Sequence, residues 1–268
     1  MAQKNSTQSR GGGLLIEPSP RWVRVVFNGV VIANTKRALF VHETGEHRKL
    51  ATYFFPRADV RTDLLQFSGE NPDASRAGAT TYFTINAQGR SYENAAFSYE
   101  APTANAQALK GHVGFVWDKV DQWLEEEEPI FRHARVPYKR VDAIPSSRHV
   151  KVVLGGEVIA ESRRPVLVFE SGLRVRYYLP MQDVREDLLQ RTESRTSCPY
   201  KGHASYWSAH IGGKIYEDIV WSYLQPLPEV QHIARFLAFY HEKVDAAYID
   251  GKADDGQLWN DGANAFYV

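Results

Sequence analysis

Two stretches of the sequence, 124 positions apart, decide the fold: YFFPRADVRTDLL at residues 53–65 and YYLPMQDVREDLL at residues 177–189. The shared tyrosine, proline, Asp-Val-Arg and Asp-Leu-Leu stay in one register, which continues to the Lys-Val-Asp segments at residues 119–121 and 243–245. Upstream of Gly45 the matching residues of the two copies lie 127 positions apart instead of 124, because the first copy carries three extra residues where a loop tolerates them. A register kept over most of a domain indicates a tandem duplication.

The duplication predicts two small domains in the 268-residue chain, each long enough to bury its own core. We expect an N-terminal disordered segment at 1–20, a first domain at 21–124 and a second at 149–250. Residues 125–148 are expected to form a linker, whose acidic run Glu125–Glu128 is interpreted as a solvated domain end. Residues 251–268 are polar and are expected to form a tail, with Trp259, Phe266 and Tyr267 able to attach to a surface.

Each copy has the pattern of β-hairpins. Runs of β-forming residues flank Asn28-Gly29 in the first copy and Gly155-Gly156 in the second, and such pairs accept the positive φ of tight turns. An acidic start predicts a short helix at residues 183–189, and apolar spacing after Pro228 predicts a second helix reaching Leu237. The fold class is therefore mainly β: tandem domains of curled antiparallel sheets, each with a short peripheral helix.

Composition excludes several classes of function. Lys plus Arg and Asp plus Glu both number 32, so no net field attracts nucleic acid or an anionic membrane. The single cysteine, Cys198, rules out an intramolecular disulfide and a cysteine-rich zinc site. No apolar stretch reaches the roughly 18 residues of a membrane helix, and the N-terminus lacks a signal-peptide pattern. We therefore expect a cytoplasmic protein with no membrane partner, and the sequence leaves homo-oligomerisation open.

The second copy carries a specific series of motifs: Cys-Pro-Tyr-Lys-Gly at 198–202, Ala-Ser-Tyr-Trp at 204–207 and Trp-Ser-Tyr at 221–223. In this order and spacing they resemble the DUF427 family, small domains without an assigned function. The first copy resembles the family more weakly, because residues 74–77 are Ala-Ser-Arg-Ala. The resemblance implies a β-tent-like fold, similar to Mss4, methionine sulfoxide reductase B and cereblon ligand-binding domains. Those relatives often hold zinc on four cysteines, which one cysteine cannot do.

Candidate site residues cluster in the motifs of the second copy. Lys201 follows Cys198 by three residues, so a lysine charge could activate the thiol, or the lysine itself could act as a base or anchor a ligand. Glu217 precedes an apolar strand and is expected to be half-buried, which suits acid–base chemistry. We predict catalytic roles for Lys201, Cys198 and Glu217, and substrate binding by Arg185, Tyr200, Tyr206, Trp221 and Tyr223.

Structural roles compete with each of these assignments. A lone cysteine is often a small buried apolar residue, and the aromatic residues are equally suited to a core. Glu217 recurs as Glu93 in the copy that lacks the cysteine and lysine. Arg185 and Asp187 recur there as Arg61 and Asp63, which favours a pair that stabilises the fold.

The leading functional hypothesis is a small-molecule pocket in the second domain, belonging to a cofactor-independent enzyme of the lyase or isomerase type. The alternatives are a non-catalytic module that binds a metabolite or peptide, and a structural scaffold. The family is sometimes labelled as nucleotidyltransferase, but the sequence has no glycine-rich phosphate loop or spaced acidic metal-binding pair to support that label.

Overall fold

The computed structural model describes residues 13–43, 50–72, 76–256 and 258–259, the last two as backbone only. The chain divides into two compact units, Met1–Val136 and Pro137–Val268. Each unit contains a seven-stranded and a four-stranded antiparallel sheet with the same strand order. The tandem duplication predicted from the sequence is therefore confirmed.

The first domain contains eleven described strands. Their bounds are β1 Leu14–Pro18, β2 Val23–Phe27, β3 Val30–Thr35, β4 Leu39–Glu43, β5 Thr52–Pro56, β6 Leu65–Asn71, β7 Thr80–Ala87, β8 Arg90–Ser98, β9 His112–Phe115, β10 Gln122–Glu125 and β11 Glu128–Ile130. The seven-stranded sheet has the order β1-β4-β5-β9-β8-β7-β6, and the four-stranded sheet has the order β11-β10-β2-β3. Short 3-10 helices connect them at Arg57–Asp59, Thr62–Leu64, Ala104–Leu109 and Trp117–Lys119.

The second domain repeats this arrangement and adds one strand pair. Its strands are β12 Val141–Pro145, β13 Val150–Leu154, β14 Glu157–Ser162, β15 Val166–Glu170, β16 Leu173–Arg174, β17 Arg176–Leu179, β18 Leu189–Cys198, β19 Gly202–Ile211, β20 Lys214–Pro226, β21 Leu237–Phe239, β22 Ala246–Ile249, β23 Lys252–Ala253 and β24 Leu258–Trp259. The sheet orders are β12-β15-β17-β21-β20-β19-β18 and β14-β13-β22-β23, with β16 paired to β24. The 3-10 helices are Met181–Asp183, Glu186–Leu188 and Pro228–Ile233.

The core of each domain lies between its two sheets. In β13 the side chains of Val150, Val152 and Leu154 are fully buried and alternate with partly exposed residues, the period expected of a strand with one buried face. They pack against residues of the larger sheet, including Leu179 and Phe239. Irregular registers in several strand pairs, for example between Val152 and Val153, fit the predicted curled sheets, since a bulge increases local twist.

The predicted domain bounds were too narrow. Residues 14–18, expected to be disordered, form β1 at the edge of the larger sheet, where they pair with β4. The expected linker contains β10, β11 and β12, which belong to the sheets of the two domains. In the expected tail, β23 pairs with β22 and β24 pairs with β16, whereas Phe266 and Tyr267 lie outside the described residues. Main-chain pairing with a neighbouring strand orders these segments, and the local sequence does not show it.

The acidic run is also only partly solvated. Glu125 is buried, accepts a hydrogen bond of 2.8 Å from the Tyr53 hydroxyl and pairs with the Arg21 guanidinium. Tyr53 lies on β5 and Arg21 lies just before β2, both distant in sequence, so the carboxylate is compensated only once the sheets have formed.

The predicted helices are shorter than expected. Residues 183–189 contain a second 3-10 turn instead of one helix, and the helix at Pro228 ends at Ile233. Its predicted apolar face reached Leu237, but Leu237 begins β21 and pairs with Leu179. Sheet pairing therefore replaces the helical pattern beyond Ile233. Within the described residues, no helix is long and apolar enough to cross a membrane.

Candidate functional site: an aromatic pocket with cationic residues

The second domain has a pocket of about 490 Å³ on the face of the larger sheet that points away from the core between the sheets. Such a volume lies in the range of small-molecule sites. Strands β15, β16, β17, β19 and β20 supply most of the wall, and the rest comes from the turn after β18 and the segment after β21. The lining residues are Val168, Glu170, Leu173, Arg174, Arg176, Tyr178, Lys201, Tyr206, Trp221, Tyr223, Tyr240 and Glu242.

Aromatic side chains form much of the wall because strand residues two apart point to the same face. Trp221 and Tyr223 lie on β20, next to Tyr206 on β19. The Trp221 indole donates a hydrogen bond of 3.0 Å to the Tyr178 hydroxyl, and its ring lies 4.4 Å from that of Tyr240. Burial raises the pKa of Tyr178 and of Tyr223 far above the ordinary range, so both phenols are neutral at physiological pH.

Lys201 enters the pocket from the turn between β18 and β19. Its backbone N–H donates to the Cys198 carbonyl at 3.2 Å, and Gly202 follows with a φ of +103°, a value that glycine accepts easily. The lysine side chain is only 11% exposed and pairs with the Glu170 carboxylate at the end of β15. The second oxygen of Glu170 pairs with the Lys139 ammonium at 2.9 Å.

This lysine–carboxylate group is charged. Burial alone would lower the pKa of Lys201, but the adjacent Cys198 and Glu170 outweigh it and raise that pKa. Burial alone would likewise raise the pKa of Glu170, and the ammonium groups of Lys201 and Lys139 bring it below its ordinary value. Lys201 is therefore an ammonium at neutral pH, which argues against the neutral base or Schiff-base former considered from the sequence.

A second charged group lies in the same pocket. Arg176 donates to both oxygens of Glu242 at 2.7 and 2.8 Å, and Arg174 donates to one of them at 3.1 Å. The Arg176 hydrogen bonds lower the pKa of Glu242 to about 2. The Arg176 guanidinium also lies over Trp221 and Tyr240, 5.4 and 5.7 Å from the ring centres, so it stacks on the aromatic wall.

The structure brings together part of the predicted site. Lys201, Tyr206, Trp221 and Tyr223 line the pocket. Cys198 packs beside this aromatic cluster and acts on the Lys201 charge without being a lining residue. Tyr200 lies in the same turn, under the Lys139 ammonium at 5.6 Å from its ring centre, and is not among the lining residues.

Two predicted residues lie elsewhere. Glu217, expected to be half-buried, is exposed. It lies where the register of β19 and β20 shifts, next to Asp218 with its φ of +46° and before the buried Ile219. Arg185 is outside the pocket and donates two hydrogen bonds to Asp187, at 2.6 and 2.7 Å. Arg61 and Asp63 make the same two-bond pair in the first domain, which fits the alternative role in the fold.

Sequence reasoning missed eight of the twelve lining residues: Val168, Glu170, Leu173, Arg174, Arg176, Tyr178, Tyr240 and Glu242. Comparison of the copies could have found Arg176 and Tyr240, since the repeat aligns them with Thr52 and Val116. Glu170 aligned with Glu43 and therefore looked like a feature of the fold. Its role depends on Lys201, which is distant in sequence.

The equivalent face of the first domain has no counterpart of Lys201. Ala77 occupies the position of Lys201 and is buried with Phe54 and Tyr99. The Phe54 ring contacts Phe97 and Tyr99, with ring centres 5.4 and 5.7 Å apart. The first domain thus retains most of the aromatic residues while lacking the lysine, and Phe54, Phe97 and Tyr99 pack as a core. Among the residues described, no group of three or more His, Cys, Asp or Glu side chains could hold a metal ion.

These features define a class of protein built from two copies of a small two-sheet domain, of which the second has an aromatic and charged pocket on one sheet face. A family model described as a domain of unknown function, DUF427, matches the chain at residues 15–126 and 142–250. The chain belongs to the DUF427 family, as a tandem pair of its domains. A comparison with curated proteins gives no match.

Proposed function

We propose that the second domain binds a small organic molecule in the aromatic pocket, with Lys201 as its main electrostatic anchor. The observation that carries this proposal is a charged, largely buried lysine in the wall of a cavity of about 490 Å³. Burial of an ammonium is costly even when it is paired, so a position that needed only packing would favour an apolar residue. The first domain has Ala77 at that position.

Cofactor-independent catalysis is the second candidate, favoured by the position of Cys198 beside the Lys201 ammonium. In such a lyase or isomerase, the ammonium stabilises negative charge that develops on a substrate oxygen, and tyrosine hydroxyls donate hydrogen bonds. A binding module uses the same contacts and forms no product. The balanced charge of the chain favours a small molecule over nucleic acid, and the single cysteine favours a cytoplasmic location.

The test is a thermal-shift screen of the full chain against a metabolite library, with wild type, Lys201→Met and Lys214→Met compared. Lys214 lies at the start of β20, outside the pocket lining, so its variant controls for loss of one positive charge. A ligand at 100 times its dissociation constant stabilises the folded protein by about 2.7 kcal/mol, which a shift in Tm reveals.

We expect at least one ligand that stabilises wild type and Lys214→Met but not Lys201→Met. Mass spectrometry of each such ligand after prolonged incubation then separates catalysis from binding, with Cys198→Ser as the variant that tests the thiol. A screen in which every ligand stabilises Lys201→Met as well as wild type would overturn the proposed site.

A further inference from the structure

Two separate charged groups, each with two cations and one carboxylate, line or adjoin the pocket. In the first, which we call the lysine group, Lys201 and Lys139 share the carboxylate of Glu170. In the second, the arginine group, Arg174 and Arg176 share the carboxylate of Glu242. Each group has two cations and one anion, so each carries one net positive charge.

Each carboxylate oxygen of the two groups already has a cationic partner. Glu170 uses one oxygen for each lysine, and Glu242 accepts hydrogen bonds on both oxygens from the two arginines. The cations have more capacity, since an ammonium has three N–H groups and a guanidinium has five. Arg176 gives two of its five donors to Glu242. Because each group is also positive overall, a ligand with anionic oxygens satisfies both the spare donors and the net charge.

One member of each group lies on a neighbouring strand. Arg176 on β17 lies opposite Val168 on β15, and Glu170, the partner of Lys201, is two residues further along β15 on the same face. The strand positions of such a diagonal pair lie roughly 7–8 Å apart, so the two groups stand beside each other on one sheet face and a small ligand can contact both.

An aromatic wall accompanies both groups. The Trp221 ring lies under the Arg176 guanidinium and meets Tyr178 edge to face, with ring centres 6.1 Å apart. Flat aromatic surfaces favour a flat ligand, which stacks on them or meets their edges.

We propose that the pocket binds a planar organic dianion, with one anionic group at Lys201 and the other at Arg176. This inference rests on the proposed function, because it names the ligand class of the same site. It assigns Arg176 a role in ligand specificity. That role requires both the arginine group and the lysine group to be charged. The first domain lacks both cations, with Ala77 and Thr52 at their positions, and is not expected to bind such a ligand.

The test measures the binding of matched probes to the full chain by titration calorimetry. The three benzene dicarboxylate isomers differ in the distance between their two carboxylates. For each isomer, the monoamide and the diamide keep the shape of the probe while removing one or both negative charges. We expect at least one dicarboxylate to bind wild type about tenfold or more tightly than its monoamide, and the diamide to bind most weakly, because a hydrogen bond to a charged partner contributes more than a neutral one.

Variants then assign the two ends. In Lys201→Met and in Arg176→Met, the dicarboxylate should lose its advantage and bind within about threefold of the monoamide, since one charged contact is missing. Arg176→Lys keeps the charge and should retain most of the preference, which distinguishes charge recognition from collapse of the aromatic wall.

The outcomes separate this inference from the function on which it rests. A diamide that binds wild type as tightly as its dicarboxylate would overturn the dianion and leave a Lys201-dependent pocket intact. Failure of all the ring probes, with a Lys201-dependent ligand of another class from the metabolite screen, would overturn the dianion alone. Failure of the probes with no Lys201-dependent ligand at all would overturn both.

Discussion

Glu170 is the residue on which the charge balance of the pocket depends. Its carboxylate is 8% exposed and compensates two ammonium groups, of which Lys201 is itself largely buried. Removal of the shared carboxylate leaves an unpaired buried ammonium, whereas removal of Lys201 leaves Glu170 still paired to Lys139. The two substitutions therefore differ in cost although they break the same contact.

We predict that Glu170→Gln destabilises the second domain by about 3–5 kcal/mol, the cost of breaking a buried pair. Lys201→Met should cost about 1–3 kcal/mol, since one hydrogen-bonding partner of the carboxylate remains. Urea denaturation of the full chain, monitored by hydrogen exchange of peptides from each domain, measures the loss of stability in both variants. Peptides from the first domain are the internal control. Equal losses in the two variants would contradict the shared role of Glu170.

Tyr178 gives a prediction for alkaline pH. Burial raises its pKa in the folded state, so the phenol stays protonated there while it ionises in the unfolded chain above pH about 10. The stabilisation is complete below that pH and is lost as the pH rises. A single such tyrosine makes the free energy of unfolding fall by about 1.4 kcal/mol per pH unit. In Tyr178→Phe, the free energy of unfolding should therefore fall less steeply with pH, by about 1.4 kcal/mol per pH unit between pH 10 and 11.5. An unchanged dependence of the free energy of unfolding on pH would contradict the buried, neutral phenol.

At the scale of elements, the turn between β18 and β19 positions Lys201. Gly202, which follows Lys201 and begins β19, has a φ of +103°, and a Cβ there would lie 3.3 Å from the Gln225 carbonyl oxygen. Gly213, in the turn between β19 and β20, also has a positive φ of +78° but has open space around it. Substitution by alanine therefore strains the backbone at both glycines. Only at Gly202 does it also create a close contact, and that contact lies beside the pocket.

We predict that Gly202→Ala destabilises the second domain by about 1–3 kcal/mol and weakens Lys201-dependent ligands, because the strained turn shifts the lysine. Gly213→Ala should cost less, about 1–2 kcal/mol, and leave ligand affinity unchanged. Thermal unfolding and ligand titration of the two full-length variants provide the comparison. Equal loss of affinity in both would show that the turn has no special part in positioning Lys201.

At the scale of the whole molecule, duplication has produced two domains with one topology and different sheet faces. The second domain carries cations at Lys201 and Arg176, and the first has Ala77 and Thr52 at those positions. Both copies retain a buried glutamate, Glu43 or Glu170, at the end of the equivalent strand. The two domains therefore differ in the residues around this carboxylate and not in the arrangement of their strands.

We predict that the full chain binds one ligand molecule rather than two. Titration calorimetry with a Lys201-dependent ligand should give a stoichiometry near one per chain, because one copy alone supplies the cations. Glu170→Gln should change ligand affinity, because it removes the carboxylate partner of Lys201, whereas the matched variant Glu43→Gln in the first domain should leave affinity unchanged. A stoichiometry of two, or equal effects of the two variants, would show that the first domain is also a binding domain.

The sequence alone determined the duplication, the mainly β class, the family and one side of the pocket. These follow from local patterns: a repeated register, turn glycines between β-forming runs, and motifs that place Lys201, Tyr206, Trp221 and Tyr223 within some two dozen residues. Tertiary structure decided the rest. It paired Glu170 with Lys201 across 31 positions, and brought Arg176 to Glu242 across 66. It also exposed Glu217 and recruited β1 and β12 as edge strands. The physical reason is that strand pairing and buried charge compensation depend on neighbours in space, which a linear pattern of residues does not specify.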